Sequence, residues 1–210
     1  MTSITVKNSY SVRSQQWREF WFYFSVSKTA VAGLVFLIGM VIMAIFADLI
    51  SPHLPTEQYR EFAEIPPAWM EGGQMRFFLG TDYAGRDMLS RIIHGARLSL
   101  IAGAIVVIMS ASIGVLLGLV AGFQGGWIET IIMRVMDTIM AVPGLLMALV
   151  LVAVLGPGLL NAMVAIAITY TPSFVRLTRA STMTELNKDY VTASKVAGAG
   201  PMRLMFISIL

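Results

Sequence analysis

The sequence predicts an all-α protein whose helices cross a membrane several times. Of its 210 residues, 57% are hydrophobic and only 13% are charged, whereas an average soluble domain carries about 25% charged residues. Three stretches contain no charged residue: 29–47, 98–122 and 138–175. The third is too long for a single crossing of about 20 residues, and Gly156-Pro157-Gly158 divides it in two. We therefore expect a polytopic transmembrane helical bundle with four spans in this chain.

Composition and motif content argue against several functional classes. The chain has no cysteine, which excludes disulfides and thiolate metal sites, and His53 and His94 form no ligand cluster. The net charge of +3 is typical of loop bias in a membrane protein rather than of nucleic-acid binding. No Gly-x-x-x-x-Gly-Lys-Ser/Thr loop and no serine–histidine–acid set occurs. We predict a protein that is not an enzyme, has no catalytic residue, metal or cofactor, and binds no nucleic acid.

Residues 1–28 are predicted to be a cytoplasmic segment. Four Lys or Arg residues oppose one acid there, and such an excess marks the inner side of a membrane. Aromatic residues at the spacing i, i+3, i+4, i+7 predict one aromatic face on a helix that lies in the membrane interface. These residues are Trp17, Phe20, Trp21 and Phe24. The alternative is a helical extension of the first span that carries an aromatic belt.

The first span is predicted at 29–50, followed by an external loop at 51–96. This loop holds six acids and four arginines. The arginines argue mildly against an external location, but the acids are in excess and long loops escape the charge rule. Thr81 or Asp82 is placed to cap a short helix on the outer surface. The apolar face of that helix consists of Met88, Leu89, Ile92 and Ile93. Because Asp82 and Asp87 have no partner base or metal ligand nearby in the sequence, a structural role is favoured over catalysis.

Residues 97–210 are predicted to form one transmembrane domain. Its spans are expected at about 98–122, 130–155 and 159–176. Glycines four residues apart in the first of these spans would let another helix approach closely; they are Gly114, Gly118 and Gly122. Pro143 and Pro172 are candidate kinks.

Arg134 and Asp137 are ionisable residues near the start of the span at 130–155. Their i, i+3 spacing predicts an ion pair on one helix face. Charge at membrane depth is costly and usually faces a bundle interior or water, so one interpretation is a gate near the cytoplasmic mouth. The other interpretation is a structural pair at the membrane interface, where charge costs little.

The last stretch, 186–210, is too polar to cross a membrane and predicts a helix, a sharp turn and a helix. Small side chains at Ala193, Ala197 and Gly198 would let another surface approach the first helix. A glycine tolerates the left-handed conformation that caps a helix, and Pro201 cannot continue the helical hydrogen-bond ladder. Gly198, Gly200 and Pro201 are therefore expected to end the first helix. Four spans from a cytoplasmic start place this segment in the cytoplasm, and the excess of Lys and Arg after the fourth span agrees.

A motif in the external loop carries a family resemblance. It reads Gly-Thr-Asp-x-x-Gly-Arg-Asp-x-Leu-Ser-Arg, followed by Gly-Ala-Arg-x-Ser-Leu. It resembles the permease subunits of binding-protein-dependent ABC importers, in the dipeptide, oligopeptide and nickel branch. Within that branch it resembles the second permease, which has an extra N-terminal span and this outer loop. The motif residues here are Gly80, Thr81, Asp82, Gly85, Arg86, Asp87, Ser90 and Arg91.

A second motif, within 186–210, resembles the coupling segment, or EAA loop, of the same family. Thr192, Ala193 and Ser194 occupy the Glu-Ala-Ala positions, with departures from the pattern at the first and third. Gly198 occupies the glycine position, and Ile209-Leu210 matches the start of the Ile-x-Leu-Pro ending. The resemblance implies a set of residues that contact an ATPase: Tyr190, Thr192, Ala193, Ser194, Ala197, Gly198 and Arg203.

The resemblance implies a fold of the type I ABC importer permease kind and a role as a subunit that forms half of a translocation pathway. The expected solutes are di- or oligopeptides or a related solute such as nickel. The implied partners are a homologous second permease in a heterodimer, two cytoplasmic ATP-binding subunits, an extracytoplasmic solute-binding protein and the lipid bilayer. The expected location is the cell inner membrane, with several passes and a cytoplasmic N-terminus. Family members continue with two more spans, so a truncated chain is expected.

Two other classes compete with this interpretation. An intramembrane enzyme would need catalytic residues at membrane depth, and only Arg134 and Asp137 are candidates. A secondary transporter or channel that is not linked to an ATPase would favour several buried acids and broken helices in matching halves. Neither class needs the helix–turn–helix at 186–210.

Overall fold

The structure of the chain is a computed structural model that describes residues 10–209. The described residues form helices joined by short turns and one long loop, and none of them belongs to a β-sheet. Thr81 and Asp87 form one isolated antiparallel bridge. The predicted all-α helical fold is therefore confirmed. Residues 1–9 of the predicted N-terminal segment, and Leu210 of the predicted motif ending, lie outside the described residues.

The chain divides into two units, residues 1–100 and residues 101–210. The helices of the first unit begin with α1, Tyr10–Val26, α2, Lys28–Ile45, and α3, Ala47–Ile50. Ser27 separates α1 from α2 and caps α2, since its hydroxyl accepts a hydrogen bond from the Ala30 amide at 3.4 Å. A short 3₁₀ turn, Arg60–Phe62, lies in the loop that follows α3.

Six aromatic side chains lie on α1 between residues 17 and 24. Trp17 packs edge-on against Phe20, and Phe24 stacks on both Phe20 and Trp21. These are the four side chains that the spacing predicts on one face. Two more exposed rings, Phe22 and Tyr23, contact each other on the helix as well. The aromatic surface is thus wider than the single predicted face.

The loop after α3 folds around one aromatic side chain. Phe77 has no exposed surface, and its ring centroid lies 5.2 to 5.7 Å from the rings of His53, Tyr59 and Phe62. The Arg76 guanidinium lies 4.7 Å from the Tyr59 ring centroid, a distance at which a cation is attracted to an aromatic face. The loop therefore has a small core of its own.

Helix α4, Met88–Gln124, is a single helix of 37 residues. The predicted surface helix at the end of the external loop and the predicted span at 98–122 are parts of this one helix, so their separation is wrong. Gly95 is the only glycine between Met88 and Leu98 and no proline occurs there. One glycine costs a helix only about 1 kcal/mol, which is too little to end it.

The region of the predicted span at 130–155 consists of two helices that meet at an angle of 92°, with the predicted kink residue Pro143 at the break. The two helices are α5, Gly126–Met140, and α6, Gly144–Leu155. Pro143 has no amide hydrogen and disfavours a helical conformation at the residue before it, which explains the break. Of the described helices, three are long and apolar enough to cross a membrane, or four if the bent pair counts as one span.

Helix α7, Leu159–Leu186, packs against α4, α5 and α6 and against the segments that follow it in the chain. It runs ten residues past the predicted end at 176, and the buried Pro172 lies inside it without ending it. Asn161 closes the turn from α6, since its amide donates to the carbonyls of Leu155 and Gly156 at 2.9 and 3.1 Å. After α7 come α8, Asp189–Val196, α9, Pro201–Arg203, and a π-helical segment, Leu204–Ile209.

Small residues every four positions along α4 face α7. The Ser110 hydroxyl donates to the Ala167 carbonyl at 2.9 Å. A Cβ atom added at Gly114 would lie 2.3 Å from the Phe174 Cβ. One added at Gly118 would lie 2.6 Å from the Val175 carbonyl oxygen, and one at Gly122 would lie 2.7 Å from the Thr182 Cβ. The two helices therefore touch so closely that no side chain fits between them.

We expect Gly118→Ala to separate α4 from α7. The added methyl group meets backbone on α7, and such overpacking costs about 1–3 kcal/mol. The matched control is Gly103→Ala on the same helix, where an added Cβ has no atom within 4 Å. Thermal unfolding of the purified protein in detergent measures the difference. Equal midpoints for the two variants would contradict the close packing.

Candidate functional site

The helix–turn–helix predicted at the end of the chain is present, and we call residues 189–209 the terminal segment. Helix α8 ends in a Schellman cap: the Ala199 amide donates to the Ser194 carbonyl at 3.0 Å and the Gly198 amide donates to the Lys195 carbonyl at 3.1 Å. Gly198 has a φ of +85°, a conformation that glycine adopts without strain. Pro201 then begins α9. Glycine and proline thus end and restart the helix as their chemistry predicts.

The inner face of the terminal segment is buried. Val191 is 3% exposed, and Leu204 and Met205 are each 5% exposed. Helix α8 and the π-helical segment pack on each other and on α7. The Tyr190 hydroxyl donates to the Glu185 carboxylate on α7, and this hydrogen bond raises the pKa of Tyr190 above its ordinary value of 10.0. The segment is therefore held on the end of α7 by apolar contact and by one side-chain hydrogen bond.

The outer face of the terminal segment presents the residues predicted to contact an ATPase. Six of the seven are exposed, and Ser194 is half-buried with its hydroxyl donating to the Tyr190 carbonyl at 2.9 Å. Four of the seven line one surface pocket of about 300 Å³. Those four are Ser194, Ala197, Gly198 and Arg203.

Two apolar side chains of this face were not among the predicted site residues. Val196 is 85% exposed and Met202 is 72% exposed, and they lie on either side of the Gly198 turn. Their signal in the sequence is an apolar residue just before and just after a glycine–proline break. They extend the face on which another protein can pack.

The external-loop motif has a different capping residue from the one predicted. Asp87 caps α4: its carboxylate accepts a hydrogen bond from the Ser90 amide at 3.0 Å and another from the Ser90 hydroxyl. The Asp87 carbonyl accepts from the Arg91 amide at 3.1 Å, which begins the helical ladder. The predicted cap at Thr81 or Asp82 is wrong, because both side chains bond to the loop instead.

Asp82 organises the turn that precedes α4. Its carboxylate accepts hydrogen bonds from the amides of Ala84 and Arg86, each at 2.9 Å, and from the Arg86 and Arg91 guanidinium groups. Burial acts to raise the pKa of Asp82, but the hydrogen bonds from Arg86 and Ala84 outweigh it and hold the pKa below 3.8. The guanidinium groups of Arg86 and Arg91 thus both donate to the same buried carboxylate, that of Asp82.

The remaining motif residues join distant parts of the loop. The Thr81 hydroxyl accepts from the Ile65 amide at 3.0 Å and donates to the Phe62 carbonyl. Gly80 and Gly85 have positive φ angles, and a Cβ on either would lie within 2.3 Å of a carbonyl oxygen in residues 59–65. Every residue of the motif therefore has a contact that holds the loop together.

The predicted pair between Arg134 and Asp137 is not the pair that forms. The Asp137 carboxylate accepts from the Arg176 guanidinium on α7 at 2.6 Å. Arg179 on the same helix bonds Glu129, with its Nε atom 2.6 Å from the Glu129 Oε1 atom. Arg134 lies three residues from Asp137 on the same helix, but Asp137 pairs instead with Arg176 on the neighbouring helix. No described residue forms an ion pair with Arg134, and the described residues hold no cluster of three metal-binding side chains.

Two family models match the chain. One is described as the binding-protein-dependent transport system inner membrane component and matches residues 114–210. The other is described as the N-terminal TM domain of oligopeptide transport permease C and matches residues 15–67. The matched regions cover the terminal segment, and α1 and α2 with the start of the loop.

Curated relatives are similar along nearly the whole chain. A di/tripeptide transport system permease protein of Pseudomonas aeruginosa is 55% identical over 193 residues, which is 92% of this chain and 64% of the relative. A dipeptide transport system permease protein of Escherichia coli K12 is 55% identical over 91% of this chain and 64% of the relative. A glutathione transport system permease protein of Pectobacterium atrosepticum is 37% identical over 100% of this chain and 68% of the relative. The chain thus spans about two thirds of the length of these relatives.

We expect Asp82→Asn to weaken the loop in a pH-dependent way. Because the folded loop lowers the pKa of Asp82, the ionised carboxylate stabilises it above pH 3.8, and this contribution is lost as the pH falls below that value. The variant should lose about 1.5–3 kcal/mol of local stability at pH 7, the usual contribution of hydrogen bonds to a charged group.

Hydrogen exchange of peptides from residues 59–91 measures this local stability at pH 7 and pH 3. Wild type and variant should differ most at pH 7, and the difference should be smaller at pH 3, because protonation of the free carboxyl begins below pH 3.8. The control is Glu71→Gln, at an exposed acid of the same loop. A variant that differs equally from wild type at both pH values would show that the charge of Asp82 is not what stabilises the loop.

Proposed function

Because the chain belongs to the family of binding-protein-dependent transport system inner membrane components, we propose that it is a permease subunit of an ATP-driven importer. We propose di- or oligopeptides as the solute, since relatives at 52% to 55% identity carry dipeptide or di/tripeptide transport in their names. A related small solute such as a nickel complex is the neighbouring possibility within the same branch.

The proposed assembly contains four kinds of partner. A homologous second permease completes the translocation pathway, and two cytoplasmic subunits bind and hydrolyse ATP. A solute-binding protein delivers the solute from outside, and lipid surrounds the apolar helices. The absence of a phosphate-binding loop from this sequence supports separate ATPase subunits, since a P-loop is needed to hold the nucleotide phosphates.

The terminal segment is the observation that carries the proposal. Its inner face is anchored to α7, while its outer face offers exposed small residues, two exposed apolar side chains and a pocket. A short helix of this kind can lie in a groove of another protein. Because its inner face is anchored and its outer face is free, the terminal segment can be moved by another protein and can transmit that movement to α7.

Transport would then follow alternating access. Closure of the ATPases on ATP moves the terminal segment, and α7 carries that movement along its length because it is one helix of 28 residues. The helices attached to α7 change their packing around two breaks, the bend at residues 141–143 and the turn at 156–158. Short breaks between rigid helices are where such movements concentrate.

The proposed topology places residues 1–28 and 179–210 in the cytoplasm and 51–96 outside, with the bent pair counted as one span. It can be tested in a chain that contains no cysteine. A single cysteine at Gln58 should be labelled in intact cells by an impermeant thiol reagent, and one at Lys188 should be labelled only after lysis. Both side chains are exposed, so accessibility is not limited by burial. The reverse pattern would invert the topology.

Gly198→Val should uncouple the permease from its ATPase. The backbone at Gly198 has a positive φ, and a β-branched residue there costs about 1–3 kcal/mol in strain. The cap is then lost and the outer face changes shape, while the spans lie away from the turn. We expect intact membrane insertion but loss of ATPase co-purification, or loss of the stimulation of ATP hydrolysis by loaded binding protein.

Gly200→Val is the matched control for Gly198→Val. Gly200 has a φ of −71° and an extended conformation that valine accepts, and an added Cβ there meets no atom within 4 Å. Both variants add the same side chain two residues apart. If Gly198→Val retains wild-type ATPase binding and stimulation in reconstituted vesicles, the terminal segment is not the coupling element.

A further inference from the structure

Two arginines one turn apart on α7 bind the two carboxylates of α5. Arg179 donates from both its Nε and Nη2 atoms to Glu129, and Arg176 donates from Nη2 to Asp137 at 2.6 Å. The partners are 50 and 39 residues apart in sequence. Both Arg179 hydrogen bonds end on the same oxygen, Glu129 Oε1, and both are charge-assisted, which makes them stronger than hydrogen bonds between neutral groups. The α5–α7 contact is therefore fixed at two points rather than one.

Arg179 lies where three helices meet. A Cβ atom at Gly122 on α4 would lie 3.0 Å from the Arg179 carbonyl oxygen, and one at Gly118 would lie 3.1 Å from its amide nitrogen. The backbone of Arg179 thus packs on α4 while its side chain reaches α5. The Arg179 and Glu129 side chains are only 30% and 23% exposed. Neither helix can shift along α7 at this level without changing these contacts.

The same part of α7 leads directly to the terminal segment. Helix α7 ends at Leu186, seven residues after Arg179, and α8 begins at Asp189. The C-terminal end of α5 leads through residues 141–143 into the 92° bend before α6. The two ion pairs therefore lie between the proposed ATPase contact and the 92° bend that separates α5 from α6.

We infer that the Arg179–Glu129 and Arg176–Asp137 pairs form a strut that passes movement of the terminal segment from α7 into α5 and its bend. These four side chains are positioning residues for transport. The inference rests on the proposed function, because it needs an ATPase that moves the terminal segment. Partly exposed ion pairs contribute little to stability, so the loss of a strut should be visible in coupling rather than in assembly.

The test uses the assembled transporter in vesicles, with radiolabelled alanyl-alanine as the transported probe. Glu129→Gln and Arg179→Gln should each lower the amount of dipeptide transported per ATP hydrolysed by about 2- to 30-fold, the range seen when a coupling residue is removed. Co-purification of the ATPase should not change. The exchange Glu129→Arg with Arg179→Glu should restore most of the ratio, since it rebuilds the pair with its charges reversed.

Arg134→Gln is the matched control, since Arg134 is an exposed arginine on the same α5 without an ion-pair partner among the described residues. It should leave the transport ratio unchanged. If a variant at Glu129 does not assemble, Asp137→Asn at the more exposed pair provides the measurement, with a smaller loss expected.

The results of this experiment distinguish a failure of the strut from a failure of the proposed function. A wild-type assembly that couples, together with single variants that keep the wild-type ratio, would overturn the strut and leave the proposed function standing. An exchange variant no better than the single variants would also overturn the strut. A wild-type assembly whose ATPase neither co-purifies nor responds to loaded binding protein would overturn the proposed function, and the inference with it.

Discussion

The close approach of α4 to α7 is the contact on which the second unit depends. Helices in a membrane gain little from apolar burial, because lipid is as apolar as their side chains, so they associate through close packing and hydrogen bonds. Three glycines and Ser110 supply that surface on α4, and the facing backbone of α7 is buried at Ala167, Thr171 and Val175. With α7 held in this way, α5, α6 and the terminal segment each pack against it.

Buried carboxylates have the corresponding role in the first unit. The loop between α3 and α4 has almost no regular secondary structure to satisfy its backbone amides, and Asp82 and Asp87 accept several of them directly. The side chains of Asp82 and Asp87 are 8% and 1% exposed, respectively. Burying a charged carboxylate to this extent is costly unless hydrogen bonds within the protein replace those it made to water. The motif therefore holds the loop together: both oxygens of Asp82 accept from amides or arginines, and one oxygen of Asp87 accepts from the Ser90 amide and hydroxyl.

The features that sequence reasoning predicted correctly are those decided by neighbours along the chain. The apolar runs set the helical class, and the order Gly198, Gly200, Pro201 set the end of α8 and the start of α9. The residues assigned to ATPase contact are mostly exposed for the same reason, since helical spacing alone placed small residues on one face. The sequence also predicted that a residue of the loop motif caps a helix, although Asp87 is the cap rather than Thr81 or Asp82.

The ion pairs that sequence reasoning missed are decided by contacts between residues far apart in the chain. Asp137 lies three residues from Arg134, yet it bonds Arg176 because α7 brings a second guanidinium within 2.6 Å. The capping residue, by contrast, was missed although it is local: Asp87 accepts from the Ser90 amide three residues on, while Asp82 accepts from the amides of Ala84 and Arg86. By itself the sequence determined the helices, their apolar faces and the glycine turn, since local propensity and hydrophobicity act over a few residues. Only the tertiary structure decided which charge meets which, because that depends on the positions of whole helices.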